Sequence, residues 1–330
     1  MKALGLLSGG LDSALACRLL LDQGVEVEGL HLIMPFGTRA EEGGAPAARM
    51  AERLGIKLHL REPGPDYLEL VQRPRHGYGS GMNPCIDCRI YQFRLAREVM
   101  DQVGAAFLAT GEVLGQRPMS QRSQIMALID REAGVEGRVL RPLSARHLPP
   151  TLPEREGWVD RERLLDIKGR SRRQQAALAQ AYSLSGYLSP AGGCLLTLKE
   201  FARRLRDFLD GGGTLDPRQV ALLKVGRHFR LGARARAVVG RDQGENQVLR
   251  TLGAPGDVVA EVRGYVGPVA LGLGELGPEE LALLCRITAR YSDAPRQGPA
   301  RVGWRRLPCG PEEEVTVEAA VEEELASRRR

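Results

Sequence analysis

Short apolar runs alternate with stretches of helical periodicity along the first 110 residues. Residues 2–7 form an apolar run that stops at a Ser-Gly-Gly turn, which is typical of a buried strand. In residues 11–23 the apolar positions recur at helical spacing until Gly24, which predicts a helix that ends at a glycine. The alternation continues with predicted strands at 25–34, 56–60 and 106–110 and predicted helices at 45–54 and 88–103. This order predicts an α/β fold with a doubly wound parallel sheet, which binds ligands beyond the carboxyl ends of its strands.

The pattern changes after about residue 145. A proline-rich joint at 148–153 leads into predicted helices at 170–182, 197–209 and 217–224. Farther along, Val- and Leu-rich runs bounded by glycine predict antiparallel strands of a small β-rich α+β domain, with a helix at 278–291 packed on them. The predicted strands are residues 233–240, 246–252, 258–265 and 268–273.

These patterns divide the chain into three regions. We predict a first domain over residues 1–215, with a helical extension from about residue 150, and a small β-rich domain over residues 216–308. Residues 309–330 form a charged tail, which either becomes helical on docking or stays disordered.

Composition narrows the functional classes. Of the 330 residues, 43% are hydrophobic and 27% are charged, and no apolar run approaches the length of a membrane span. Six cysteines are too few for a disulfide scaffold, and the start of the chain has no cleavage site of an export signal. We therefore expect a cytoplasmic protein whose cysteines act as thiols, metal ligands or nucleophiles. The net charge of +6 is compatible with a nucleic-acid partner without requiring one.

A phosphate-binding loop is the strongest local signal. The sequence Ser-Gly-Gly-Leu-Asp-Ser lies between the first strand and the first helix. Glycines allow the backbone to approach a phosphate closely, and the helix N-terminus directs N–H groups and its positive dipole end toward an anion. A carboxylate in such a loop indicates a Mg²⁺ ion between itself and the phosphates. The candidate binding residues are Ser8, Gly9, Gly10, Asp12 and Ser13.

Three cysteines are the second candidate for chemistry. Cys85 and Cys88 form a Cys-x-x-Cys pair at the start of a predicted helix, where the dipole is expected to lower the thiol pKa. Cys194 follows two glycines in the segment Pro190-Ala191-Gly192-Gly193. Three thiolates suit an iron–sulfur cluster with one open iron, and the alternatives are a persulfide relay, a redox disulfide or zinc. Cys17, Cys285 and Cys309 are expected to be structural.

The phosphate loop resembles the PP-loop of the ATP pyrophosphatase superfamily. The resemblance implies that ATP is cleaved between its α and β phosphates and that the loop holds the pyrophosphate. It also implies that His31 and Met34, at the end of the second strand, hold the adenine. Gly111 and Glu112, in the segment Ala-Thr-Gly-Glu after the strand at 106–110, resemble a second nucleotide-binding segment.

The combination of this loop with Asn-Pro-Cys-x-x-Cys and a distant Gly-Cys resembles the tRNA thiouridylases. Residues 83–93 are especially similar to the wobble-uridine 2-thiouridylases, although Glu112 stands where those enzymes have His. The resemblance implies a tRNA sulfurtransferase with ATP, Mg²⁺ and a [4Fe-4S] cluster as cofactors. Sulfide or a cysteine-desulfurase relay would then be the sulfur donor. The implied catalytic residues are Asp12, Cys85, Cys88 and Cys194, of which the three cysteines would hold the cluster.

Basic residues suggest where RNA would bind. Residues 225–305 resemble the small RNA-binding domain of the NFACT family in their general residue pattern. This resemblance implies recognition of folded RNA through its shape and its sugar–phosphate backbone. Arginines among short strands and near the reaction cleft are candidates for phosphate contacts. They are Arg117, Arg122, Arg170, Arg172, Arg173, Arg227, Arg230, Arg234 and Arg236.

Two other functions remain open from the sequence. A PP-loop ligase or sulfur-inserting enzyme that acts on a small molecule would use the same adenylation chemistry, but would not need a basic C-terminal domain. A non-enzymatic RNA-binding or redox-sensing protein would not need both an intact Ser-Gly-Gly-Leu-Asp-Ser loop and three cysteines.

Overall fold

A computed structural model describes residues 1–38, 43–187, 193–295 and 297–330. Within it the chain forms two compact units, Met1–Thr197 and Leu198–Arg330. The boundary therefore lies before the helix that begins at Lys199, rather than at the predicted position between residues 215 and 216. No helix in the described ranges combines the length and the apolarity that crossing a membrane requires.

The first unit is a five-stranded parallel sheet flanked by helices, as predicted. The strand order is β3-β2-β1-β4-β5, so the chain proceeds from β1 to opposite sides of the sheet. The carboxyl ends of β1 and β4 thus form the switch point at which open α/β sheets bind ligands. The strands are β1 (Lys2–Leu6), β2 (Glu26–Leu32), β3 (Leu58–Arg61), β4 (Phe107–Thr110) and β5 (Val139–Leu140). The helices are α1 (Leu11–Leu21), α2 (Ala45–Leu54), α3 (Asp66–Gln72), α4 (Cys85–Gln102), α5 (Ser123–Glu132), α6 (Leu152–Arg155) and α7 (Arg173–Ala181).

Close packing of α1 on β1 fixes the start of the site. A Cβ added at Gly5 would lie 2.6 Å from the Sγ of Cys17, so this strand position must lack a side chain. Burial raises the pKa of the Cys17 thiol to about 12, which keeps it neutral. Cys17 is therefore a packing residue, in line with the sequence interpretation.

The second unit is a six-stranded antiparallel sheet with the order β11-β10-β8-β9-β7-β6. Helix α11 packs on one face, where its Leu284 and Ile287 join a core with Val258 and Val302. The strands are β6 (Arg227–Arg230), β7 (Ala235–Val239), β8 (Val258–Val262), β9 (Ala270–Gly274), β10 (Pro299–Arg306) and β11 (Glu313–Glu318). The helices are α8 (Lys199–Asp210), α9 (Pro217–Lys224), α10 (Gln243–Leu252), α11 (Pro278–Arg290) and α12 (Glu322–Ala326).

Two predictions for the second unit were wrong. Residues 246–252, predicted as a strand, belong to α10, because Asp242 caps that helix by accepting a hydrogen bond from the backbone N–H of Glu245. The region expected to be a charged tail contributes β11 and α12 to the fold. Its valines supply this order, since Val315 and Val317 pack against the core and Leu325 is buried in it.

Candidate active site

The phosphate loop is closed by its own serine residues. The hydroxyl of Ser13 donates to the carbonyl of Gly10 at 2.8 Å and accepts from the backbone N–H of Ser8 at 3.2 Å. Gly10 occupies the N-cap position of α1, and no side chain caps the helix there. The first N–H groups of α1 are consequently not consumed by a cap, which is the arrangement that binds phosphate at helix N-termini.

Two glycines allow the loop to pack tightly against its neighbours. Gly9 has a φ of +79°, and a Cβ there would lie 2.7 Å from the backbone of Pro46 in α2. Gly111, after β4, lies so close that its Cβ would be 2.4 Å from the backbone of Asp12. The close approach at Gly111 brings the segment after β4 against the start of α1, at the predicted switch point.

Asp12 has an incomplete set of partners. Its Oδ2 accepts a hydrogen bond from the Nε2 of Gln116 at 3.1 Å and lies 3.7 Å from the Nη2 of Arg172. Its Oδ1 is buried and has no hydrogen-bond partner. A buried carboxylate oxygen without a partner is costly, and Mg²⁺ bound to phosphates typically takes one or two carboxylates. Asp12 therefore fits a role as a ligand of Mg²⁺.

The predicted adenine side of the pocket lies at the end of β2. His31 is buried, and its Nδ1–H donates to the carbonyl of Leu7 at 3.0 Å. Burial lowers the pKa of His31 despite that hydrogen bond, so the ring is neutral near pH 7. Met34 follows β2 and is half-buried, and its carbonyl accepts a hydrogen bond from the N–H of Gly37.

Glu112 lies in a network of buried charges that the sequence did not reveal. Its carboxylate is 3% exposed and lies 3.1 Å from the Nε of Arg89 and 3.0 Å from the Nε of Arg141. Arg141 in turn binds both carboxylate oxygens of Asp130, at 2.7 and 2.8 Å. Burial raises the pKa of Glu112, but the two guanidinium groups outweigh it and hold the pKa below its usual value. Glu112 thus positions the segment after β4.

The Cys-x-x-Cys pair lies in the first turn of α4. The side-chain amide of Asn83 donates to the Sγ of Cys85 at 3.0 Å. The amide of Gln92 donates to the Sγ of Cys88 at 3.2 Å, and the hydroxyl of Tyr67 lies 3.3 Å from the same sulfur. The two thiols consequently have different environments.

The predicted lowering of the thiol pKa is wrong for Cys88. Burial raises the pKa of Cys88, and the hydrogen bond with Tyr67 and the charge of Arg89 oppose this only in part. The location at a helix N-terminus does not compensate for the loss of water around this sulfur.

Cys194 lies beside the loop that leads into α4. The segment that follows it is fixed by two backbone hydrogen bonds, from Leu195 to the carbonyl of Phe36 and from Met82 to the carbonyl of Leu196. Burial raises the pKa of Tyr67, and the charges of the thiolates of Cys88, Cys194 and Cys85 raise it further. The sulfur of Cys88 is within 3.3 Å of the Tyr67 hydroxyl, and the charges of Cys85 and Cys194 also act on that hydroxyl. Residues 190–192 of the predicted glycine loop lie outside the described residues.

The thiols do not form a ready metal site. Among the described residues, no group of three or more His, Cys, Asp or Glu side chains is arranged to hold a metal ion. The predicted [4Fe-4S] cluster at Cys85, Cys88 and Cys194 is thus not shown by the structure and stays a prediction. Of the cysteines expected to be structural, Cys285 is buried like Cys17, whereas Cys309 is exposed.

The loop at 115–121 connects the phosphate loop to the thiols. At one end Gln116 donates to Asp12, and at the other the Sδ of Met119 lies 4.0 Å from the Nδ2 of Asn83, the residue that donates to Cys85. The buried Gln121 holds the loop, because its side-chain oxygen accepts from the N–H of Arg117 at 2.8 Å. From the sequence, Arg117 and Gln121 of this segment and the adjacent Arg122 were expected only to face the reaction cleft.

Of the nine arginines predicted to contact RNA, five contact other side chains of the protein and four are exposed on the first unit. Arg230 pairs with Asp207, and Arg236 lies 4.3 Å from the ring centroid of Phe208, so both are used within the second unit. Arg227 lies 4.7 Å over the ring of Tyr291, and Arg234 is exposed and paired with Glu275. Arg172 lies beside Asp12 instead of facing solvent alone. Four arginines remain exposed on the first unit: Arg117, Arg122, Arg170 and Arg173.

Helix α8 carries a basic stripe that was not predicted from the sequence. Lys199, Arg203 and Arg206 are all exposed and are spaced four and three residues apart, which places them on one face of the helix. Within the described part of the chain, no ion pair joins any of the three to an acidic side chain. The helical spacing of basic residues was the sequence signal that could have identified this stripe.

Comparisons with known proteins agree with this division of the chain. Residues 1–147 match the family described as thiamine biosynthesis protein (ThiI). Residues 226–328 match the NFACT protein RNA binding domain. The predicted pairing of a PP-loop domain with an NFACT-like domain is thereby confirmed, as is the predicted fold class.

Curated relatives match about a third of this chain. The tRNA-specific 2-thiouridylase MnmA of Stutzerimonas stutzeri is 33% identical over 134 residues, which are 38% of this chain and 36% of that protein. The MnmA of Syntrophotalea carbinolica is 39% identical over 115 residues, 32% of each chain. The chain thus spans about a third of the length of these relatives. A solved 4-thiouridine synthetase–RNA complex with bound ATP is 30% identical and covers 43% of this chain and 36% of its own, with a TM-score of 0.35.

Proposed function

We propose that this chain is a tRNA sulfurtransferase that uses ATP to adenylate a uridine carbonyl oxygen and then replaces that oxygen with sulfur. The observation that carries the proposal is the loop at 115–121. It contacts Asp12 through Gln116, and its Met119 lies beside Asn83, which donates to Cys85. Seven consecutive residues thus contact both the loop proposed for adenylation and the residue that donates to one of the thiols proposed for sulfur transfer, and this reaction requires both kinds of site.

The first step is adenylation. The uridine carbonyl oxygen attacks the α-phosphorus of ATP, and the bond to the oxygen that bridges the α and β phosphates breaks. Pyrophosphate leaves with the electron pair of that bond, and the loop of Ser8 to Ser13 retains it at the N-terminus of α1. A Mg²⁺ ion held by Asp12 would neutralise charge on the phosphates. The protein contributes mainly positioning and fixed N–H groups, which is the usual basis of phosphoryl and nucleotidyl transfer.

The second step is sulfur transfer through thiols. The terminal sulfur of a persulfide on one cysteine attacks the activated carbon of the uracil ring, and AMP leaves with the former carbonyl oxygen. A second thiol of the set Cys85, Cys88 and Cys194 then attacks the cysteine sulfur that carries the transferred atom. This releases the thiocarbonyl and forms a disulfide between the two cysteines, which an external dithiol reduces. A persulfide from a cysteine-desulfurase relay restores the sulfur for the next turnover.

RNA recognition is proposed for three sets of residues. The NFACT-like unit would contribute affinity for the tRNA backbone, and the stripe of Lys199, Arg203 and Arg206 would add phosphate contacts. The exposed arginines of the first unit would contact RNA near the reacting uridine. The base must be unstacked to reach the α-phosphate, which favours a loop uridine.

The test is a reconstituted reaction with unmodified tRNA, ATP and a persulfide donor. Asp12→Asn should abolish both tRNA-dependent AMP formation and thiouridine. Cys194→Ala should still release pyrophosphate but form no thiouridine, whereas Cys309→Ala should behave like the wild type. Mass spectrometry of tRNA nucleosides from a deletion strain is the companion measurement.

Unchanged thiouridine in the deletion strain would reject the proposal. ATP turnover that does not depend on tRNA would instead favour a small-molecule substrate. Iron and sulfide analysis of the anaerobically purified wild type and Cys194→Ala protein tests the [4Fe-4S] alternative. Three or more irons per chain, lost in Cys194→Ala, would replace the thiol relay by a cluster.

A further inference from the structure

The start of α7 lies beside the start of α1. Arg172, the N-cap residue of α7, is 3.7 Å from Asp12 in the first turn of α1. At the other end the guanidinium of Arg18 lies 5.5 Å over the ring of Tyr182, which follows α7. The two helices therefore run parallel, and both N-termini lie at the Asp12 end. No side chain caps either helix, so both present N–H groups and a positive dipole end to the same region.

Gln175 lies one turn into α7 and lacks partners. Its side chain is 0% exposed, and neither its Oε1 nor its Nε2 has a hydrogen-bond partner. It lies on the face that packs against α1, because Ala179, four residues later, joins a core cluster with Leu11 and Leu15 of α1. A buried amide with both ends unsatisfied costs free energy. The oxygens of a phosphate bound at the two helix N-termini would accept hydrogen bonds from its Nε2 and remove part of that cost.

Arg172 has only a weak partner. At 3.7 Å its contact with Asp12 is an ion pair without a hydrogen bond, and its side chain is about one-third exposed. A divalent cation that bound Asp12 would compete for the same carboxylate. The guanidinium would then be left next to the phosphates that accompany the cation, and a guanidinium binds phosphate oxygens with two parallel hydrogen bonds.

We propose that Arg172, Gln175 and the N-terminus of α7 form a second anion subsite, which binds the pyrophosphate portion of ATP opposite the loop of Ser8 to Ser13. Arg172 is thus a residue of the nucleotide site and not a contact for RNA. The subsite would hold the leaving pyrophosphate between two helix N-termini while the α-phosphorus is attacked. This proposal rests on the proposed use of ATP, but its test does not require that thiolation be observed.

The first experiment compares binding of the pyrophosphate portion of ATP with binding of the rest of the nucleotide. Binding of Mg-ATP, Mg-pyrophosphate and AMP to the full-length chain is measured by calorimetry, and binding of tRNA by filter retention. Arg172→Ala should weaken ATP and pyrophosphate about 10- to 100-fold, as expected for a lost charge-assisted contact, and leave AMP and tRNA unchanged. Arg172→Lys should restore part of the loss. Arg173→Ala, on the adjacent exposed residue, should leave pyrophosphate binding unchanged and weaken only tRNA.

Pyrophosphate binding of Arg172→Ala at the wild-type level would overturn the proposal. So would a loss that is equal for AMP and pyrophosphate, or a loss confined to tRNA, since the latter would make Arg172 an RNA contact. A wild-type protein that binds ATP but never thiolates tRNA would reject the proposed function and leave these comparisons valid.

Replacing Gln175 should affect the stability of the protein and its affinity for pyrophosphate in opposite directions. Gln175→Met removes an unsatisfied buried amide at nearly constant volume, so the ligand-free protein should have a Tm equal to or above that of the wild type. The same change should weaken pyrophosphate several-fold. Gln174→Met, on the exposed neighbour, should alter neither. A Gln175→Met protein with lower Tm and normal pyrophosphate affinity would show that the amide has only a structural role.

Discussion

At the scale of single residues, Asp12 links folding to ligand binding. One of its carboxylate oxygens is held by a neutral amide and a distant guanidinium, and the other is buried without a partner. Such an oxygen destabilises the ligand-free fold by about 1–3 kcal/mol. A cation supplied with ATP would remove that penalty. Asp12 would therefore destabilise the ligand-free protein and stabilise the ATP-bound protein.

Adjacent glycines in the phosphate loop should respond differently to substitution. Gly9→Ala places a side chain at positive φ and within 2.7 Å of the α2 backbone. Gly10→Ala meets only the hydroxyl of Ser8, at 3.4 Å, from an extended backbone. We expect Gly9→Ala to lower the free energy of unfolding by about 2–4 kcal/mol and Gly10→Ala by less than about 1 kcal/mol, measured by urea unfolding of both variants. Equal stabilities would contradict the packing of the loop on α2.

The residue scale also shows which roles a sequence can reveal. The position of Gly9 and Asp12 in a tight loop between β1 and α1 could be predicted, because a loop that approaches phosphate restricts its residue types whatever surrounds it. The role of Glu112 could not, since its partners Arg89 and Arg141 come from distant parts of the chain. The pKa of Cys88 was predicted in the wrong direction for the same reason: burial depends on the tertiary fold, and the helix dipole alone is visible in the sequence.

At the scale of elements, prediction succeeded where the hydrophobic periodicity and the residues that end an element indicated the same structure. Four of the five strands of the first sheet were identified, because each is a short apolar or alternating run that ends in a loop. Strand β5 was missed, since it has only two residues. Residues 246–252 were assigned to a strand because their Val and Leu content was weighed above the Asp242 cap, which begins α10. Strands β10 and β11 were missed because charged side chains cover their exposed faces, so their apolar content is low.

The basic stripe on α8 leads to a prediction about salt dependence. Replacing Lys199, Arg203 and Arg206 together by alanine should weaken tRNA binding. It should also reduce the slope of log affinity against log salt by about 2–3, since each phosphate contact contributes about 0.7–0.9. The matched control replaces Arg18, Lys57 and Arg75 of the first unit, which are paired with Asp22, Glu28 and Glu132. This control changes the net charge equally, so equal slopes in the two variants would show that only total charge matters.

At the scale of the whole molecule, the chain joins two units that have separate cores. The core of the first includes Ala3 and Leu20, and that of the second includes Val258 and Leu284. The sequence predicted both architectures and their order. The predicted boundary between the two units comes after α8, because the sequence of α8 resembles that of the helices before it. Only the tertiary contacts of α8 assign it to the second unit.

Those contacts make the boundary testable with two fragments of the second unit. Asp207 of α8 pairs with Arg230 and Arg330, and Phe208 lies under the guanidinium of Arg236. Burial lowers the pKa of Arg236 to about 10, so the guanidinium remains charged near pH 7 while α8 covers it. A fragment of residues 198–330 should therefore unfold cooperatively. A fragment that begins at residue 216 should lose about 3 kcal/mol or more, because it lacks the buried Phe201, Ala202 and Leu205 of α8 and leaves Arg230 and Arg330 without the carboxylate of Asp207. Thermal unfolding and the dispersion of amide NMR signals would compare the two fragments, and equal stability would return the boundary to the position that the sequence suggested.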